Sequence, residues 1–167
     1  ITLTNSPMWN IHPLMSENII IDSVTIISPN NSPNTDGINP ESSKNIVIKN
    51  SVISVGDDCV AIKSGRNNDG RKRDMPSENI WIKNCTFANG HGGIVIGSEL
   101  SGGVRNVLIE DCDMSSPNLL RALRIKSNKY RGAYVENIIM RNTKIDTIGG
   151  PIVGINMLYI NSFDLSL

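Results

Sequence analysis

Two adjacent carboxylates, Asp57 and Asp58, lie in an otherwise apolar stretch of the sequence, directly after Gly56. A carboxylate is costly to bury among apolar residues unless it is paired or takes part in chemistry. Hydrolysis of a glycosidic bond requires two carboxyl groups in different protonation states, because one donates a proton and the other activates water. The pair is therefore our first candidate for a catalytic site, with a structural role for Asp58 as an acceptor of backbone amides as the alternative.

Two further residues belong with this pair. Asp36 lies in the turn-rich segment 28–40, and His91 is flanked by glycines on both sides. Glycines leave room for the close approach of a large ligand. Each residue also has a simpler interpretation, Asp36 as the tip of an Asx-rich turn and His91 as a loop residue without a task.

Three cations accompany the acidic residues. The sequence around Arg124 and Lys126 aligns with the sequence around Lys63, so the three side chains are expected on one face. Cations beside a carboxylate cluster would suit a substrate that itself carries carboxylates. The alternative is that they form salt bridges that only neutralise the acidic residues.

An internal repeat determines the fold. One motif occurs five times, at intervals of 27, 34, 27 and 31 residues, and begins at Asn18, Asn45, Asn79, Asn106 and Asn137. Counting from this asparagine, positions +1, +3 and +8 are apolar in every copy, and position +5 is Ser, Asn or Asp. The alternation predicts short strands with one buried face, which must stack on neighbouring copies to form a core. The repeat therefore predicts an all-β, parallel β-helix in which the side chains at +5 hydrogen-bond from coil to coil.

The same register places the candidate residues close together. Asp57 and His91 both stand at position +12 of their copies, so we expect them on adjacent coils, ~4.8 Å apart. Strand parity turns both outward and would turn Asp58 inward, which indicates a bend or bulge at residues 56–58. Asp36 lies one coil earlier, and the three cations share the outward face.

The length of the chain sets the extent of the solenoid. We expect residues 1–167 to form a single domain of about six coils. Neither end carries a recognisable cap, so we expect a helix truncated at both ends, with a further strand at 162–167. The charged segment 65–77 is expected to be a solvated loop.

Composition excludes some classes of partner. The formal net charge is zero, so no overall field attracts nucleic acid or a membrane surface, and no apolar run is long enough to span a bilayer. We expect neither type of partner and a monomeric protein. The three cysteines, Cys59, Cys85 and Cys112, are expected to be packed and reduced rather than bridged.

Four motifs, taken in order, resemble a known family. Asn34-Thr35-Asp36, Gly56-Asp57-Asp58-Cys59, Gly90-His91-Gly92 and Arg124-Ile125-Lys126 are similar to the signature motifs of the polygalacturonases, glycoside hydrolase family 28. The resemblance implies a right-handed parallel β-helix that hydrolyses α-1,4-linked galacturonan, the backbone of pectin, with inversion and without a metal or other cofactor. It also implies an acidic polysaccharide as partner, and a secreted or periplasmic protein.

The resemblance implies roles for individual residues. Asp57 would be the general acid, with Asp36 and Asp58 as the carboxylates that activate water. His91 would tune the acid or bind sugar. The substrate-binding residues would be Arg124, Lys126, Asn34 and, with a looser match, Tyr159, and the shared face adds Lys63.

Other functions remain open at this point. A pectate lyase has the same shape but performs β-elimination with calcium, and a non-catalytic β-helix could bind pectin fragments without cleaving them. Hydrolysis of rhamnogalacturonan or xylogalacturonan is a variant of the first interpretation. Endo and exo action both remain possible, and the similarity of residues 6–13 to bacterial and plant-like members favours exo action.

Overall fold

The computed structural model describes residues 1–160 and contains, within that range, thirteen strands and one short helix. The strands are Thr2–Thr4 (β1), Glu17–Asp22 (β2), Thr25–Ile27 (β3), Lys44–Lys49 (β4), Val52–Ser54 (β5), Asp58–Ile62 (β6), Ser77–Lys83 (β7), Thr86–Asn89 (β8), Gly92–Gly97 (β9), Val104–Glu110 (β10), Leu123–Lys126 (β11), Val135–Arg141 (β12) and Val153–Asn156 (β13). The helix, α1, is Asn67–Arg73. The strand expected at 162–167 lies outside the described residues.

The strands form three parallel sheets that wind into a β-helix, as the repeat predicts. One sheet has the order β2-β4-β7-β10-β12, and a second has the order β1-β3-β5-β8. The third, which we call the site sheet, has the order β6-β9-β11-β13. The β-helix has about five turns rather than the expected six. The half repeat at the start contributes only β1 to a sheet, and its Ile11 and Leu14 join the next coil through isolated bridges.

The core follows the predicted periodicity. Positions +1 and +3 of the central copies are buried, as Ile46 and Ile48 on β4 and Ile80 and Ile82 on β7 show, each at most 1% exposed. Position +8 supplies a second buried column, which consists of Ile26, Ile53, Phe87 and Met114. Burying an aliphatic side chain of this size contributes roughly 1.5–3 kcal/mol, so these columns hold the coils together.

Two columns of polar residues run from coil to coil, one at the turn after the strands of the five-stranded sheet and one inside those strands, near their starts. At position +5 the predicted bond from coil to coil joins Asn84 to Asn50 over 2.7 Å, whereas Asn50 donates to Asp22, which stands at position +4, over 2.8 Å. A second ladder, which the sequence analysis did not predict, runs along the leading asparagines. All residues of both columns have φ between 50° and 59°. Asparagine tolerates this left-handed conformation better than other residues with side chains, which explains why it recurs.

Asn79, in the middle of the second ladder, gives a test of this explanation. Its side chain donates to Asn45 and accepts from Asn106, both at 3.1 Å, and its φ is 57°. We expect Asn79→Ala to lower the free energy of unfolding by about 1–2 kcal/mol, because it adds left-handed strain to the loss of two exposed hydrogen bonds. Asn79→Gly, which removes the hydrogen bonds without the strain, should cost less. Urea unfolding checks the order, and equal losses for the two variants would contradict it.

The expectation of a solvated loop at 65–77 is wrong. Residues 67–73 form α1, and Arg71 donates from it to the backbone oxygen of Tyr130 at 2.6 Å, while Arg73 pairs with Glu41 at 3.3 Å. Gly70 is buried, and a Cβ there would lie 2.7 Å from the Ser101 side chain. The basic residues therefore help to fix a short helix against neighbouring coils.

Two further expectations concern cysteine and hydropathy. Cys59, Cys85 and Cys112 are buried and unbridged, as expected. Among residues 1–160, no helix has the length and hydropathy needed to cross a bilayer.

Candidate active site

A bend before β6 brings Asp57 beside His91. Gly56 and Asp57 form the bend, and β6 begins at Asp58, opposite Gly92 on β9. A Cβ on Gly56 would lie 2.3 Å from the Ser32 oxygen, so only glycine lets the 28–40 turn pack here. The His91 amide donates to the Asp57 backbone oxygen at 2.9 Å, and His91 Nδ1 lies 3.2 Å from Asp57 Oδ1. The predicted bend and the predicted adjacency of the two side chains are both confirmed.

The hydrogen bond between Asp57 and His91 shifts the pKa of each group. Burial opposes ionisation of Asp57, but the hydrogen bond and charge of His91, together with Lys126, hold the pKa of Asp57 below its usual value. The hydrogen bond to Asp57 in turn raises the pKa of His91 against the effect of burial. In the free site the pair is therefore best described as a carboxylate next to a histidine that readily holds a proton.

Asp58 is almost fully buried, with 1% of its side chain exposed. Its Oδ2 accepts from Lys126 Nζ at 2.7 Å, and Arg124 Nη1 lies 3.9 Å from its Oδ1. Among the described residues, no group hydrogen-bonds Asp58 Oδ1. A buried carboxylate oxygen without a protein donor is costly, so this atom is the natural acceptor for a water or a substrate hydroxyl in the cavity.

Asp36 reaches the same cavity from the turn before β4. It is 4% exposed, its Oδ2 accepts from Asn39 at 2.8 Å, and its backbone oxygen accepts from the Asn10 amide at 2.9 Å. Burial raises the pKa of Asp36 to about 6, with the negative charges of Asp58 and Asp57 adding to the effect and Lys63 opposing it. Asp36 therefore holds a proton under mildly acidic conditions in which an exposed aspartate is ionised.

This shift predicts a pH-dependent effect of Asp36→Asn on stability. Folded Asp36 keeps its proton up to about pH 6, whereas the unfolded chain loses it near 3.8, so the native chain loses stability as the pH rises through that window. The neutral amide does not ionise. We therefore expect Asp36→Asn to gain roughly 2 kcal/mol relative to the native chain between about pH 4 and pH 7. Thermal unfolding across this range checks it, and a constant difference between the two proteins would contradict it.

Lys63 has an anionic partner that the sequence analysis did not identify. Its Nζ pairs with Glu99 Oε2 at 2.9 Å and lies 4.8 Å from the centre of the Trp9 ring. Burial opposes ionisation of both groups, yet Lys63 lowers the pKa of Glu99 to about 2, and the charges of Glu99 and Asp36 raise the pKa of Lys63. The positive charge of Lys63 is therefore largely compensated within the protein.

The remaining predicted residues complete the wall. The backbone N–H of Asn34 donates to Asp57 Oδ2 at 3.3 Å. The ring of Tyr159 lies 5.6 Å from the guanidinium of Arg124 and 5.1 Å from Lys126 Nζ. Tyr159 is held by its backbone, which donates to Ser127 at 2.9 Å. The loosely matched tyrosine thus lies where the cations are.

All nine predicted site residues line one cavity of about 390 Å³ on the outer face of the site sheet. Its lining is Trp9, Asn34, Asp36, Asp57, Asp58, Lys63, His91, Ser98, Glu99, Arg124, Lys126 and Tyr159. Sequence reasoning did not propose Trp9, Ser98 or Glu99 as site residues. For Glu99 a signal was available, because it stands two residues after Gly97, which aligns with Lys63, and so continues the outward parity of β9.

Within residues 1–160, Asp57, Asp58 and His91 form a group that could hold a metal ion, because one potential ligand atom from each lies within 4.8 Å of the others. All three of these side chains already have a partner. Lys126 occupies Asp58 Oδ2 at 2.7 Å, and His91 Nδ1 contacts Asp57 Oδ1. A metal ion at Asp58 Oδ1 would lie beside the positive charges of Lys126 and Arg124, so the donor set fits ion pairing better than metal ligation.

Fold and site together define a parallel β-helix protein with a cleft rich in carboxylates and cations on one of its sheets. A family model described as "Glycosyl hydrolases family 28" matches residues 1–164, and the chain belongs to this family. The predicted family resemblance is thereby confirmed.

The chain is similar to several polygalacturonases. A probable polygalacturonase of Vitis vinifera is 42% identical over 149 residues, which cover 89% of this chain and 30% of that protein. The endo-polygalacturonase of Pectobacterium carotovorum subsp. carotovorum is 40% identical over 153 residues, which cover 92% of this chain and 36% of that protein. The crystal structure of a hyperthermoactive exopolygalacturonase from Thermotoga maritima superimposes with a TM-score of 0.86 at 44% identity, and the match covers 93% of this chain and 35% of that one. The chain thus spans about a third of the length of the relatives it matches.

Proposed function

We propose that this chain carries the catalytic site of a glycosidase that hydrolyses α-1,4-galacturonosyl linkages of pectin. One observation carries the proposal: Asp58 Oδ1 is a buried carboxylate oxygen without a hydrogen-bond donor among the described residues, in the cavity that also holds Asp57 and Arg124. The names of the relatives, which include exo- and endo-polygalacturonases, support it.

We propose that the cations select an acidic sugar. Lys63 is paired with Glu99, and Lys126 with Asp58, whereas Arg124 approaches Asp58 only to 3.9 Å. The guanidinium of Arg124 therefore has donors available for a galacturonate carboxylate, and Lys126 would donate to the same carboxylate. Tyr159 and Asn34 would contact the sugar beside them. A substrate with free carboxylates should be preferred to its methyl ester.

The proposed reaction is a single displacement. Asp58, with Asp36 beside it, takes a proton from a water molecule whose oxygen attacks the anomeric carbon. Asp57 gives its proton to the glycosidic oxygen as the bond from that oxygen to the anomeric carbon breaks. Water adds across the bond, and the anomeric configuration inverts because attack and departure occur on opposite faces of the ring.

The acid role requires a protonated Asp57, whereas the positive charges of His91 and Lys126 lower the pKa of Asp57 in the free site. A bound galacturonate carboxylate would offset the charge of Lys126, which favours the protonated form of Asp57. His91, whose pKa is raised, lies 3.2 Å from Asp57 and would supply the proton. Substrate binding would thus prepare the acid.

Reducing-sugar release from de-esterified polygalacturonate tests the proposal. We expect release that is unchanged by a chelator, with saturated products whose size separates endo from exo action. The competing reaction is elimination by a calcium-dependent lyase, in which the cluster of Asp57, Asp58 and His91 would bind the calcium ion. Such a lyase would give unsaturated products, and its activity would stop in chelator. Binding of oligogalacturonate without release of reducing ends would instead favour a binding module.

We also propose that the protein acts outside the cytoplasm and as a monomer. The supporting argument for the first is the substrate, because the galacturonan backbone of pectin is an extracellular polymer. Sedimentation of the purified chain would test the second.

A further inference from the structure

Arg121 is a cation that lies outside the cavity described above. It precedes β11, and its backbone oxygen accepts from the Gly93 amide of the coil before at 2.9 Å. Its side chain extends in the opposite direction along the helix axis, over Gly154 of β13. A Cβ built on Gly154 would lie 2.7 Å from Arg121 Nε and 2.8 Å from Arg121 Cδ.

The register of the site sheet shows which surface this is. Gly154 is the partner of Arg124, which in turn pairs with Val95 and stands in the column that faces away from the core. Arg121 therefore covers the outer face of β13, one coil or ~4.8 Å beyond the backbone of Arg124. It extends the row of cations along the axis of the cleft.

Arg121 differs from most cations of the described chain. Within residues 1–160, no hydrogen bond, ion pair or ring contact involves its guanidinium, and the residue is only partly exposed. Arg105 and Arg141, by contrast, are bound to Glu78 and Glu110 on the five-stranded sheet. A half-buried guanidinium with free donors beside a cleft is suited to a planar anion from outside the protein.

We propose that Arg121 binds the carboxylate of a second galacturonate, on the side of the cleft toward β13, and that Gly154 is required because only a residue without a side chain leaves room for the guanidinium. The inference rests on the proposed function. An acidic polysaccharide with a carboxylate on every sugar would present one to Arg124 and the next to Arg121. The site thereby favours a run of at least two unesterified sugars.

The test compares binding of tetragalacturonate with binding of its methyl ester by calorimetry, in an Asp57→Asn background to prevent turnover. We expect Arg121→Gln to weaken binding of the acid form about tenfold, as loss of a charge-assisted hydrogen bond would, and to leave binding of the ester within about twofold. Gly154→Ala keeps the charge but displaces it, and should produce the same loss. Arg141→Gln, which removes a cation from another face, is the matched control and should change neither.

The outcomes are distinguishable. Unchanged binding of the acid form by Arg121→Gln, or an equal loss for acid and ester, would overturn the inference while leaving the proposed function intact. If the chain with Arg121 intact binds neither saccharide, the proposed function fails and the inference with it. Thermal unfolding of each variant checks that it is folded. If Arg121→Gln does not fold, Gly154→Ala still tests the inference.

Discussion

Replacing Asp57 by asparagine is expected to lower the rate of galacturonan hydrolysis by about three orders of magnitude, because a positioned general acid contributes roughly 10²–10⁴ to the rate. The amide cannot give a proton to the leaving oxygen, yet it still accepts through its remaining oxygen, so His91 stays close to its place. Binding of oligogalacturonate should therefore be retained. Initial rates of reducing-sugar release and calorimetric affinities together measure the two effects.

The matched control for Asp57→Asn is Asp146→Asn. Asp146 is an exposed carboxylate that pairs with Lys144 at 2.9 Å, away from the cavity. The variant Asp146→Asn should retain the native rate within about twofold, because surface ion pairs contribute little to stability. A rate for Asp57→Asn within tenfold of the native value would remove Asp57 from the acid role. Loss of binding in parallel with loss of rate would indicate a structural effect instead.

Replacing Lys126 by methionine is expected to be the most destabilising of the changes considered. Lys126 and Asp58 are 8% and 1% exposed and 2.7 Å apart, and the change leaves a buried carboxylate without its closest cation. Breaking a buried ion pair in this way costs about 3–5 kcal/mol. The change also removes a proposed donor to the substrate, so KM for polygalacturonate should rise while the variant remains folded. Urea unfolding and steady-state kinetics check the two parts.

The double variant Lys126→Met, Asp58→Asn separates stability from catalysis. Neutralising Asp58 removes the unpaired charge, so most of the lost stability should return. Activity should not return, because the proposed water-activating carboxylate is also gone. Recovery of activity with stability would contradict the role of Asp58, and failure to recover stability would contradict the importance of the ion pair.

The sequence predicts the fold well because the repeat states its geometry directly. Apolar positions at +1, +3 and +8 specify the buried columns, and a parallel stack follows from a spacing too long for hairpins. The coil count was overestimated because apolar residues near the start, such as Ile11, pair with the next coil only through isolated bridges. The ladder of leading asparagines was missed because polar residues within a strand give no sign that their backbone is left-handed.

The site was predictable to the extent that its residues share a register. Asp57 and His91 stand at equal positions in successive copies, and the structure brings them to 3.2 Å. Trp9 could not be placed in this way, because it lies before the first full copy of the repeat, whereas Glu99 was within reach because it continues the outward parity of β9. The direction of the pKa shifts was also beyond the sequence, since burial of Asp36 and the contact between Asp57 and His91 depend on packing.

Helix α1 shows a different limit. Its sequence, with a central Gly70 and four basic residues nearby, has weak helix propensity and no recognisable N-cap. Its position depends instead on Arg71 and Arg73, which reach the backbone of Tyr130 and the carboxylate of Glu41. Such long-range contacts override a local preference that would favour a loop.

The most direct test of the proposed single displacement is the anomeric configuration of the first product, followed by proton NMR as the native chain cleaves de-esterified polygalacturonate in the presence of chelator. We expect the new reducing end to appear first as the β-anomer and then to mutarotate, because Asp58 and Asp36 activate water on the face opposite the α-linked leaving group. A first product with the α configuration, or an unsaturated product, would contradict it.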